Sequence, residues 1–194
     1  IGTVNSYALK LANVTASTPN PKFGMFGRDA KGEPNGVLIN HSAMDIFRAM
    51  WANLLTPQIY EAAVTSPQPK FAAVGVTTFC DNNARGLERM KAYFDAGRNH
   101  KMTIRGYLLN TIEYYQELAG RSEAINKMKY EDEYLRFGGY KFLLDGAVIA
   151  MNTHEPHNGL AWNIATWDPK RLKDAIKTLH ALGYQCACHV IGDA

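Results

Sequence analysis

From residue 71 onward, apolar extended runs alternate with helical segments, and this alternation constrains the fold more than any other feature of the chain. Ala72-Ala73-Val74-Gly75-Val76-Thr77-Thr78-Phe79-Cys80 is an almost unbroken apolar and β-branched run, the texture of a strand buried on both faces. Leu87 to Phe94 reads as a helix and Thr103 to Leu109 as a second strand. A long helical stretch is expected from Thr111 to about Leu135, then a third strand over Tyr140 to Leu144. Trp167-Asp168-Pro169 caps a helix over Lys170 to Leu182 that Gly183 stops, and Tyr184 to Ile191 forms the fourth strand. Strand, helix, strand in this order builds a parallel sheet joined by right-handed crossovers.

Four such units make either half of an eight-unit barrel or a small open sheet. An open sheet that binds a nucleotide carries a Gly-rich phosphate turn after its first strand. The first strand here runs instead into Cys80-Asp81-Asn82-Asn83-Ala84-Arg85-Gly86, with neither a G-x-G-x-x-G nor a Walker pattern, which sets that reading aside. Residues 1–70 have a different texture. A short helix over Val4 to Leu11 precedes turn-rich chain, and Arg28-Asp29-Ala30-Lys31-Gly32-Glu33 reads as a hairpin tip with Gly36 to Ile39 returning. His41 to Leu55 follows as a helix, and Thr56-Pro57 opens another. The chain is therefore expected to divide into an α+β insertion segment, 1–70, and a sheet-bearing part, 71–194.

Composition excludes several partners. Lys plus Arg number 21 against 18 Asp plus Glu, and the basic residues are scattered, so no nucleic-acid surface is expected. No run approaches the roughly 18 apolar residues of a membrane helix. Cys80, Cys186 and Cys188 are an odd, sparse set, and the last two share one strand face where a bridge is strained. A reducing compartment, the cytoplasm, fits this usage.

Functional groups of a barrel gather at the C-terminal ends of its strands. Strand one runs into Asp81, strand three holds Lys141 and runs into Asp145, and strand four holds His189. Extended geometry places Lys141, Leu143 and Asp145 on one face and Tyr140, Phe142 and Leu144 on the other. The bulky face belongs under the helices, so the lysine looks inward. A lysine there is either paired or modified, or a snorkelling side chain, which is the commoner outcome. Cys186 and Cys188 face away from His189, and no second pair stands at zinc-finger spacing. His189 then faces inward, as a hydrogen-bonded core residue or a ligand. Asp81, Asp145 and Asp193 precede turn chemistry and read first as caps, and His154 and His157 are loop histidines at a weak spacing.

Taken together, several segments resemble amidohydrolase family 3, in the branch similar to N-substituted formamide deformylases. Val4-Asn5-Ser6-Tyr7-Ala8-Leu9 resembles its N-S-x-A-L stretch, and Arg28 to Leu38 its R-D-x-x-G-x-P-x-G-x-L hairpin. Gly75-Val76-Thr77 with Asp81 resembles its G-V-T strand, Gly139-Tyr140-Lys141-Phe142 with Asp145-Gly146 resembles G-x-K-x-x-x-D-G, and His189 to Ala194 resembles H-x-x-G-D-x-A. The resemblance implies a (β/α)8 TIM-type barrel that hydrolyses an amide-like C–N bond with one or two divalent metals, zinc foremost. It implies that Lys141, often carbamylated in such sites, and His189 are metal ligands, with Asp81 and Asp145 as weaker substrate-pocket candidates.

The departures shape the expectation as much as the matches. The chain holds no H-x-H, and the family's sixth-strand histidine and eighth-strand aspartate have no counterpart. Residues 147–153 replace a small-polar run that carries Arg and Thr, which leaves the substrate class open. These residues are thus expected to be an interior piece, barrel strands two to five, with no complete catalytic set and little catalysis alone. Exposed half-barrel edges would favour a homo-oligomer. The competing reading is a non-catalytic α/β binding or structural module in which Lys141 and His189 are ordinary core residues.

Overall fold

A computed structural model describes residues 1–51, 54–112, 118–146, 151–155 and 165–194. Its contacts group them into two compact units, one of residues 1–55, 144–166 and 190–194, the other of 56–143 and 167–189.

The first unit is built on a three-stranded antiparallel sheet in the order β1 (Gly2–Thr3), β3 (Pro34–Ile39), β2 (Met25–Arg28). The hairpin expected at residues 28–33 joins β2 to β3. Asp29 closes it by accepting hydrogen bonds from the Lys31 and Glu33 amides at 2.8 and 2.9 Å. Arg28 donates to the carbonyls of Ala16 and Gly32, tying the preceding loop to the turn. Helices α1 (Ser6–Leu11) and α2 (Asn40–Trp51) cover the sheet, and Leu9, Val14, Phe26, Leu38, Ala43 and Phe47 form the core. Gly36 has φ +88°, and a Cβ there would lie 2.2 Å from the Val4 carbonyl oxygen, so the backbone approach demands glycine.

The second unit carries the expected parallel sheet. Its strands β4 (Thr78–Arg85), β5 (Arg105–Ile112), β6 (Leu135–Leu143) and β7 (Gln185–His189) are neighbours in chain order. A sequential order contains no reversal, and so no switch-point crevice of the open-sheet type. Helices α3 (Pro57–Thr65), α4 (Gln68–Ala73), α5 (Gly86–Arg98), α6 (Leu118–Met128) and α7 (Pro169–Ala181) belong to the same unit. The caps read from the sequence are present: Thr56 accepts from the Ile59 amide and Asp168 from the Arg171 amide, while Gly183 has φ +82°. One sheet face is packed with Leu108, Phe137, Tyr140 and Phe142, all buried, against Met90 and Phe94 of α5, Ile125 of α6 and Leu179 of α7. Phe137 and Tyr140 meet edge to face at 5.4 Å.

Several boundaries differ from the expected ones. Ala72 and Ala73 end α4 instead of opening a strand, because Gly75 at φ +83° stops the helix and the strand starts only at Thr78. Thr111 and Ile112 belong to β5 rather than to a helix, and β6 begins at Leu135 rather than Tyr140. Helix α3 and the start of α4, grouped with residues 1–70 by the sequence, fall in the sheet-bearing unit, while residues 144–166 and 190–194, expected with the sheet, fall in the first. Buried Gln68 of α4 is one reason: it donates to the Val64 and Lys101 carbonyls and accepts from the Thr103 amide at 2.6 Å. Residues 113–117 of the expected long helix, residues 147–150 and His157 lie outside the described residues.

Candidate active site

The register of β6 and β7 decides which side chains meet. Lys141 pairs with Ala187 and Leu143 with His189, so Lys141 and His189 project from the same sheet face, on adjacent strands, one step apart toward their C-terminal ends. Both are half-buried. Tyr140 and Phe142 pair with Cys186 and Cys188, which places the two cysteines on the helix-packed face, away from His189. Burial first, and then the neighbouring Cys188, push the Cys186 thiol above its ordinary pKa, which disfavours the thiolate a metal would need. Among the described residues, no three His, Cys, Asp or Glu side chains gather closely enough to hold a metal.

The alternation that puts Lys141 inward depends on a bulge. Leu108 pairs with Phe137 and Leu109 with Gly139, so Gly138 is an extra residue in β6. It allows Phe137 and Tyr140, three apart, to share the helix-packed face, and it returns Lys141 to the opposite one. On that opposite face Tyr107 lies over Gly138 and donates from its hydroxyl to Gln185 Oε1 at 2.8 Å. Gln185, Ala187 and His189 alternate along the same face of β7, so this bond forms the layer beneath Lys141.

Asp81 is turned toward the helices. Its carboxylate accepts the Tyr93 hydroxyl at 3.0 Å and the Asn83 amide at 3.0 Å. Burial, reinforced by Asp81, drives the Tyr93 phenol far above its ordinary pKa, so the hydroxyl keeps its proton as the donor of this bond. Asp145 is a buried carboxylate inside the first unit. Strand β6 ends at Leu143, so the face alternation does not carry on to it. It accepts the backbone N–H of Ile191, Gly192 and Asn152, the Gly192 bond being 2.7 Å. Nearby, Asp193 accepts the His154 amide at 3.1 Å, and His154 is exposed.

Thr111 and Asn83, polar residues that meet on the Lys141 face, were not singled out by the sequence. Thr111, buried, pairs in register with Lys141, and its hydroxyl donates to Asn83 Oδ1 at 2.6 Å. Their signal is faint: Asp81-Asn82-Asn83 has the spacing of a side-chain-to-backbone turn, and Thr111 would qualify only if the second strand were drawn two residues longer.

This sheet is shared with metal-dependent hydrolases of known structure. An uncharacterized metal-dependent hydrolase from Pyrococcus horikoshii OT3 superposes with a TM-score of 0.69 at 20% identity, over 98% of this chain and 37% of that one. Its counterpart from Pyrococcus furiosus gives 0.66 at 22% identity. The chain belongs to the amidohydrolase family, whose model matches residues 2–194. It is 28% identical to the putative amidohydrolase YtcJ of Bacillus subtilis (strain 168), over 98% of this chain and 36% of the relative. It is also 28% identical to the N-substituted formamide deformylase of Arthrobacter pascens, over 99% of this chain and 36% of that protein. The chain thus spans about a third of the length of the relatives it matches. Among the described residues, no helix is long and apolar enough to cross a membrane.

Proposed function

We propose that these residues supply strands two to five of a (β/α)8 barrel in a metal-dependent amidohydrolase, which cleaves a non-peptide, amide-like C–N bond with water. The observation that carries this reading is the register that sets Lys141 and His189 side by side on one sheet face at the strand C-terminal ends. The donor set fits two ligand positions of a divalent ion, zinc in this reading. A neutral His189 offers one imidazole nitrogen, and a carbamylated Lys141 offers carboxylate-like oxygens. Bound there, such an ion supplies Lewis acidity toward a carbonyl oxygen and toward water. Two ligands leave the coordination of such an ion incomplete, and among the described residues no group of three His, Cys, Asp or Glu side chains gathers to complete it. The Tyr107–Gln185 hydrogen bond lies in the layer beneath Lys141.

The formamide deformylase relative makes N-substituted formamides the first substrates to try, with N-acyl amino acids as the second class. The complete open-reading-frame product and the 194-residue chain should be purified side by side, assayed for metal content, and tested on an N-alkylformamide and an N-acylglycine. The complete protein is expected to hold stoichiometric divalent metal and turn over at least one probe, and H189A or K141A should remove at least about tenfold of its metal affinity. The 194-residue chain should hydrolyse neither probe and bind zinc no better than micromolar, because two ligands leave the site open. A complete protein that takes up no metal and cleaves neither probe would identify a non-catalytic module instead.

A further inference from the structure

Beside the Lys141–His189 pair, the same sheet face carries a polar group that the metal reading leaves unused. Strand β4 holds one extra residue between Asp81, opposite Leu108, and Ala84, opposite Asn110. Asp81 builds this bulge by accepting the Asn83 amide, and the Tyr93 hydroxyl anchors the carboxylate from α5. Bulges at strand ends re-aim side chains. Here the bulge delivers the Asn83 side chain to Thr111, the register neighbour of Lys141 on β5. The four C-terminal strand ends then present, in order, Arg85 and Asn83 with Thr111, Lys141 and His189 on one face.

The chemistry of that first position is specific. Thr111 is buried, and its one hydroxyl proton goes to Asn83 Oδ1 at 2.6 Å, which uses the amide oxygen as acceptor. The Asn83 NH2 group is then directed away from Thr111, on a residue that is itself exposed. An oriented amide N–H pair beside the proposed reaction centre is a donor for a carbonyl or carboxylate oxygen. We infer that Asn83, oriented by Thr111, is a specificity-determining residue that donates a hydrogen bond to an acceptor oxygen of an amide-type substrate lying over Lys141 and His189. The inference rests on the amidohydrolase reading given above. Asp81 is a positioning residue for it, acting through the bulge rather than by touching substrate.

The test uses the complete open-reading-frame product with 15N-labelled asparagine, its Asn83 side-chain amide signal assigned by its loss in N83A. Titration with N-methylacetamide, which offers the carbonyl without a readily cleaved bond, should move that signal saturably in the wild type. T111V should weaken the response and T111S should restore it. With an N-alkylformamide as substrate, N83A should raise KM about tenfold, the worth of one hydrogen bond, while zinc content stays unchanged. An Asn83 signal that does not move at saturating N-methylacetamide overturns the inference, as does N83A with wild-type KM. The NMR titration needs no turnover. A wild type that shifts the Asn83 signal yet hydrolyses nothing would therefore keep the donor site and reject only the hydrolase reading.

Discussion

At the scale of single residues, burial does more than any charged pair to set behaviour. Tyr140 is fully buried, and burial pushes its phenol up to about 12 against an ordinary value near 10. The neutral phenol is the form the fold accepts, so the unfolded chain ionises first as the pH rises. Stability linked to Tyr140 is therefore complete below about pH 10 and lost as the pH climbs toward 12, by about 2–3 kcal/mol. Y140F should flatten that loss, read as the difference between urea midpoints at pH 8 and pH 11.5. Equal pH dependence in the two proteins would refute the assignment. Asp145 makes the complementary case. Removing its carboxylate in D145A leaves the Asn152, Ile191 and Gly192 amides without that acceptor, at a cost of about 2–4 kcal/mol. Hydrogen exchange should accelerate at Ile191 and Gly192 in D145A and less in D145N; unchanged exchange would show that the carboxylate does not hold this loop. Asp145 was legible as a residue of interest, but two of its three backbone partners lie 46 and 47 positions away, beyond the reach of local pattern.

At the scale of elements, the sequence was most informative where a cap or a period marks an end. Helix α7 and the β2–β3 hairpin appear where Asp168, Pro169, Gly183 and the Arg28–Glu33 turn place them, while α5 starts beside the expected Leu87 and runs four residues past the expected Phe94. It was least informative at β6. The expected start of this strand is Tyr140, yet β6 begins at Leu135, because Leu135, Arg136 and Phe137 pair in register with Gly106, Tyr107 and Leu108 of β5. The two glycines of β6 serve separate needs. Gly139 sits at φ +146°, and a Cβ at Gly138 would come within 2.0 Å of the Tyr107 ring. G138A should therefore destabilise the second unit by about 1–3 kcal/mol through overpacking. The double variant Y107A/G138A should show a coupling that offsets much of the two single effects; simple additivity would mean that ring and glycine do not meet.

At the scale of the molecule, the sheet of the second unit ends in β4 on one side and β7 on the other, among the described residues. Unprotected edges pair with other strands, and a closed barrel would remove them. The isolated chain is therefore expected to associate as a dimer or higher oligomer through these edges, burying well over about 1,000 Å². Light scattering at micromolar concentration checks this, and a clean mass near 21.6 kDa would refute it. In the complete protein the same edges are expected to be occupied by neighbouring barrel strands, and association through them should disappear.

The sequence by itself determined the βα alternation, and hence a parallel sheet, because side-chain periodicity and helix caps act within a few residues. It also picked out Lys141 and His189 as candidate site residues, through short motifs. Only the tertiary structure decided the register. One bulge in β6 selects the face of Lys141, the register of β4 with β5 turns Asp81 toward α5, and the bulge after Asp81 turns Asn83 toward Thr111. A one-residue slip inverts every side chain of a strand, and which slip occurs is set by the partner strand and the helices that pack on it, at sequence distances where no local preference operates.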